Sequence, residues 1–121
     1  MSYHQDWLMR QIEAISTMLG YILFGRASTK VKVEPTPVTH SGGDELYLML
    51  QTLVRQGQIC KAEDLLFEAM ETPTDAVLDA AKRFYDDLNR LSDRTLRDAH
   101  FSREEIYEGL QEVCRVFGIP I

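Results

Sequence analysis

The sequence predicts an all-α fold, a helical bundle of about five helices that contains a tetratricopeptide-like antiparallel hairpin. Apolar residues recur at helical spacing through most of the chain, and glycine, proline and capping residues separate these periodic segments. No segment is predicted as a strand, because none shows a convincing alternation of apolar and polar residues. With 121 residues, the chain is long enough to form a single domain, residues 1–121, around one core.

The first predicted helix runs from about Tyr3 to Phe24 and ends at Gly25, so that residues 1–25 form an N-terminal amphipathic segment. Its main apolar residues follow the spacing of a short coiled-coil seam. This N-terminal seam consists of Leu8, Ile12, Ile15, Leu19 and Ile22. The sequence leaves two alternatives open: the seam is part of the monomer core, or it is an interface for a second copy or another protein.

Residues 26–43 differ in composition from the rest of the chain and are predicted to be a linker. They are rich in small, β-branched and proline residues. Pro35 and Pro37 favour extended geometry, whereas Gly42 and Gly43 add flexibility. A connection of this length is commonly mobile or functional, and we expect a mobile or crossover segment rather than a binding loop.

Residues 46–74 are predicted to contain the antiparallel hairpin, which opens the helical body, residues 44–121. The second helix extends over about residues 44–56, and Gly57 follows where a left-handed C-cap is needed. The third helix, about residues 59–71, carries alanines that allow a neighbouring helix to approach closely. Outward residues on the first helix of such a pair normally line its concave surface. The contact candidates are therefore Tyr47, Leu48, Thr52 and Arg55.

Capping residues indicate where the remaining helices begin and end. Thr72 and Pro73 are predicted to begin a fourth helix that continues to about Leu91. A short helical turn follows and extends to about residue 99. Ser102 and Glu105 form a capping box for the last helix, which ends near Gly118.

The composition is typical of a globular cytoplasmic protein. Hydrophobic residues make up 45% of the chain and charged residues 26%, with a formal net charge of −6. The first 40 residues carry a balance of +1 and the remainder −7, and this acidic body argues against nucleic acid as a partner. Cys60 and Cys114 fall within helical patterns, so we expect reduced core thiols. Charged residues interrupt the first apolar positions, which does not suit a signal peptide.

No motif in the sequence predicts a reaction. His4, His40 and His100 are scattered, without the spacing of a metal site, and no glycine-rich phosphate loop is present. Asp86 and Asp87 are neighbours on a helix and diverge by about 100°, so they are not expected to chelate a metal ion together. We therefore expect no catalytic, cofactor-binding or metal-ligating residues, and no enzyme.

The hairpin resembles a tetratricopeptide helix pair. Gly57, Ala62 and Ala69 match the turn glycine and the two small residues that recur in that motif. The chain departs from the pattern in three ways: Leu50 stands where a small residue is usual, Pro73 comes one residue early, and no second copy follows at a 34-residue period. The resemblance implies a scaffold that binds other proteins.

A second resemblance covers the first two thirds of the chain. Three motifs are similar to those of a family of small bacterial proteins of unknown function, found mainly in Gram-positive species. They are the opening DWLMRQIE, the FG that ends the first helix, and the segment QGQICKAEDLLFE. This resemblance implies an all-helical cytoplasmic protein and brings no catalytic residues.

These observations favour a protein–protein interaction or self-association module, with a possible homodimer formed through the N-terminal helix. The alternative is peripheral binding to a membrane surface through that helix. Asp6 and Glu13 on its polar face disfavour this alternative, since interfacial helices usually carry basic residues there. An enzyme is the least favoured class.

Overall fold

Six α-helices account for most of the residues that the structure, a computed structural model, describes: residues 3–30 and 42–121. They are α1 (Tyr3–Lys30), α2 (Gly42–Arg55), α3 (Ile59–Ala69), α4 (Asp75–Arg90), α5 (Asp93–Asp98) and α6 (Arg103–Val116). No strand occurs in these two ranges, and the prediction of an all-α bundle is confirmed. Most of the predicted linker, residues 31–41, lies outside the described residues.

Helix α4 lies at the centre of the molecule, because it packs against α1, α2, α3 and α6. Its apolar residues, which include Phe84, Tyr85 and Leu88, are buried. Helices α1 and α2 lie on either side of α4 in one layer, while α6 packs against α1 and α4, and α3 against α2 and α4. One surface of α4 therefore faces solvent, between α1 and α2.

Ion pairs and hydrogen bonds fix the direction of the helices in this layer. Ser16 of α1 contacts Asp86, and Arg26, further along α1, lies 2.7 Å from Asp75 at the start of α4. Helix α1 is therefore antiparallel to α4. The α2–α3 hairpin reverses the chain twice before α4, so α2 and α4 run in the same direction.

The N-terminal seam is part of the interior of the monomer. Leu8, Ile12 and Leu19 are at most 1% exposed, Ile15 is also buried, and Ile22 is partly buried against the same core. The side of α1 that carries the seam packs against α4 and α6. The structure therefore favours the alternative in which the seam is part of the monomer core. In the described conformation the seam is not available to a second copy.

Three predicted helix boundaries were wrong. Helix α1 continues past Gly25 to Lys30, because a glycine without positive φ is tolerated inside a helix and Arg26 pairs with Asp75. Helix α3 ends at Ala69 rather than Glu71. The N-cap of α4 is Thr74 rather than Thr72, since the side chain of Thr74 accepts a hydrogen bond from the backbone N–H of Val77 at 3.2 Å.

Two predicted turns were correct. Gly57 adopts φ +78° between α2 and α3, as a left-handed C-cap requires. Ser102 caps α6, because its hydroxyl accepts a hydrogen bond from the backbone N–H of Glu105. One prediction about the thiols was wrong: Cys114 is buried, but Cys60 is exposed on the outer side of α3.

A buried arginine at the start of α6 was not predicted. Arg103 is 5% exposed and donates hydrogen bonds to the backbone oxygens of Asn89 and Leu91, at 3.0 and 2.7 Å, and to the carboxylate of Asp93. It thereby satisfies carbonyl groups at the C-terminal end of α4, which lack partners within the helix. The residue holds the corner between α4, α5 and α6 together.

Candidate functional site

The solvent-facing surface of α4 carries charged side chains that pair with one another. We call it the α4 face and define it by six residues: Asp79, Lys82, Arg83, Asp86, Asp87 and Arg90. A shallow groove on the α1 side is lined by Glu13 and Thr17 together with α4 residues, and another on the α2 side by Asp44, Tyr47 and Leu48 together with Arg83. We call the whole surface, α4 face and flanking helices, the α1–α4–α2 face.

The charged groups of the α4 face pair with one another along the helix. Lys82 lies 2.7 Å from Asp86, Arg83 lies 3.0 Å from Asp79, and Arg90 lies 3.1 Å from Asp87. All three pairs have the i,i+3 or i,i+4 spacing that brings side chains together on a helix surface. The face therefore carries three acids and three bases and has no formal net charge.

The same charges connect α4 to its neighbours. Ser16 of α1 donates a hydrogen bond to Asp86, and the hydroxyl of Tyr47 of α2 donates one to Asp87. Burial and the hydrogen bond to Asp87 raise the pKa of Tyr47 above its usual range. Asp86 and Asp87 therefore contact different helices, in agreement with the prediction that they diverge.

Arg83 makes the densest set of contacts on the α2 side. Its guanidinium lies 2.7 Å from Asp44 and stacks 4.3 Å from the centroid of the Tyr47 ring. Stacking of this kind combines a cation–π attraction with the ion pair. The α2 wall of the groove is thus held against α4 by both charge and packing.

Exposed apolar side chains flank these charges. On α1, Tyr21 and Phe24 are 74% and 72% exposed. They follow Thr17 at i+4 and i+7, so they share the helix stripe that lines the groove. On α2, Leu48, which lines the groove beside Arg83, is 58% exposed. The α4 face is therefore a charged strip with apolar residues on both sides.

The structure divides the sequence-predicted contact residues into three groups. Leu8, Ile12, Ile15, Leu19 and Ile22 lie in or against the core. Tyr47 and Leu48 line the groove beside Arg83. Thr52 is exposed further along α2, where its hydroxyl donates to the Leu48 carbonyl at 2.9 Å, and Arg55 is exposed in the last turn.

The exposed position of Tyr21 and Phe24 on the groove side of α1 was not predicted from the sequence. A signal was present, because Tyr21 lies about 180° around the helix from Ile12 and therefore cannot face the same core. The role of the α4 charges was not visible in the sequence, since their position between α1 and α2 depends on tertiary packing.

A second polar cluster lies between α3 and α6. Its four carboxylates belong to Glu63, Glu105, Glu108 and Glu112. The buried Tyr85 donates a hydrogen bond to Glu63 at 2.6 Å, and Gly109 leaves the space that the Tyr85 ring occupies. Burial and the neighbouring charge of Glu105 raise the pKa of Glu63, although the hydrogen bond from Tyr85 opposes the shift.

Neither a metal-binding cluster nor a membrane-spanning helix occurs in the described ranges. Among residues 3–30 and 42–121, no three His, Cys, Asp or Glu residues are arranged to hold a metal ion. None of the described helices combines the length and the apolar character that are needed to cross a membrane.

Comparison with known proteins relates the chain to one group. A model of a family of unknown function, DUF6483, matches residues 2–118. No curated protein and no solved structure matches the chain significantly. The sequence-based resemblance to a family of unknown function is thereby confirmed.

Proposed function

The chain belongs to DUF6483, a family of unknown function, and on that premise we propose that it is a protein-interaction module that binds a partner through its α1–α4–α2 face. One observation carries the proposal. Five of the six large apolar side chains that are exposed in the described residues belong to the two helices that flank the α4 face: Trp7, Tyr21, Phe24, Leu48 and Met49.

The chemistry of this surface is typical of an interface. Aromatic residues and arginine are enriched at protein interfaces. Here the exposed rings of Tyr21 and Phe24 flank a polar strip that contains Arg83 and Arg90 and whose groups are already ordered by internal bonds. Ordered side chains lose less conformational entropy on binding than free ones. The surface therefore has apolar area to bury and little flexibility to lose.

The same features support binding rather than catalysis. Lys82, Asp86, Arg83 and Asp87 are each engaged with a neighbouring side chain. A general acid or base needs an accessible group in a site that holds a substrate, and the two grooves are shallow. Our proposal therefore includes no reaction and no cofactor.

The proposal also includes a structural relationship, an origin and a cellular setting. The α2–α3 hairpin and its turn glycine support a tetratricopeptide-like relationship, and the motifs DWLMRQIE and QGQICKAEDLLFE support a bacterial, Gram-positive origin. We also infer a cytoplasmic setting, because Cys60 and Cys114 are not joined to each other.

Peripheral binding to a membrane surface is the second candidate. The exposed rings of Tyr21 and Phe24 favour it, since aromatic residues insert readily at the interface between lipid and water. The exposed acids Asp6 and Glu13 on α1 oppose it, because anionic lipids would repel them.

The test of the proposed function is a quantitative capture experiment in the source cell. The bait is the intact chain, compared with the triple variant Tyr21→Ser, Phe24→Ser and Leu48→Ser. A matched control carries Ile121→Ser, an exposed apolar residue beyond the end of α6. We expect at least one captured protein, which can be an untagged copy of the chain itself, to be lost with the triple variant and kept with the control.

Two results would overturn the proposal. One is that no captured protein depends on the three face residues. The other is that the intact chain co-sediments with anionic vesicles at low salt and the triple variant does not, which would assign the same residues to a membrane surface.

A further inference from the structure

We draw no further inference here: the strongest candidate, the groove between α3 and α6 that is lined by Glu63, Glu105, Glu108 and Glu112, is a cluster of carboxylates, and no second feature of the described residues indicates what would bind there.

Discussion

The contact between Tyr85 and Gly109 is the tightest constraint on a single residue in the core. A Cβ added at Gly109 would lie 2.7 Å from Cε1 of Tyr85 and closer still to its hydroxyl. The ring is fully buried, so it has little freedom to move away. Glycine is therefore required by the close approach of an aromatic ring and not by its own backbone angle.

We expect Gly109→Ala to destabilise the chain by about 1–3 kcal/mol, because overpacking of a buried contact outweighs the better helix propensity of alanine. Gly25→Ala is the matched control, since its Cβ would meet nothing within 4 Å. That change should stabilise α1 by up to about 1 kcal/mol. Denaturant unfolding of the two variants measures both effects, and equal effects would contradict this account.

The raised pKa of Glu63 predicts a pH-dependent contribution to stability. Burial and Glu105 raise the pKa in the folded state, so the folded chain holds a proton that the unfolded chain has already released. Stability is therefore lost as the pH rises from the unfolded pKa, about 4.3, through the folded value. At pH 7 the ionised Glu63 is a cost to the fold.

Glu63→Gln should remove this cost and keep an oxygen that accepts the Tyr85 hydrogen bond. We expect a higher Tm at pH 7, and this gain should disappear near pH 4, where Glu63 is protonated in both the folded and the unfolded chain. Glu68→Gln is the control on the same helix, because Glu68 is exposed and its change should stay within about 0.5 kcal/mol. Thermal unfolding from pH 4 to 8 checks both, and a gain that does not depend on pH would refute the assignment.

At the scale of the element, α1 has two apolar sides with different roles. One side is the N-terminal seam, which is buried against α4 and α6. The other carries Tyr21 and Phe24 in solvent. The sequence predicted the seam well because its spacing is regular. It did not reveal which apolar residues of α1 stay exposed, because that depends on how much surface α4 and α6 can cover.

Two substitutions on α1 separate these roles. Leu19→Ala should cost about 2–5 kcal/mol, since Leu19 is fully buried and its loss leaves a cavity. Tyr21→Ala should change the stability of the isolated monomer by about 0.5 kcal/mol or less, because the ring is 74% exposed. Chemical unfolding at low protein concentration provides the comparison. A large loss for Tyr21→Ala would mean that its ring belongs to the fold rather than to an interface.

At the scale of the whole molecule, local chemistry made the fold class predictable. Helical spacing, the turn at Gly57 and the cap at Ser102 act through neighbours in the chain, and all three appear as predicted. The continuation of α1 past Gly25 was not predictable in this way, since Arg26 contacts a residue 49 positions away. The buried Arg103 depends on three helices that meet at one corner.

The candidate site was predictable only in part for the same reason. Tyr47 and Leu48 were identified from the outward side of α2. The position of the α4 charges could not be predicted, because their sequence does not show that α1 and α2 flank them.

The central claim is that the α1–α4–α2 face binds a protein partner. Quantitative capture from the source cell tests it most directly, with the intact chain beside the variant in which Tyr21, Phe24 and Leu48 are changed to serine and beside the control Ile121→Ser. We expect at least one captured protein to be lost with the triple variant and kept with the control. A set of captured proteins that the three substitutions leave unchanged would contradict the claim.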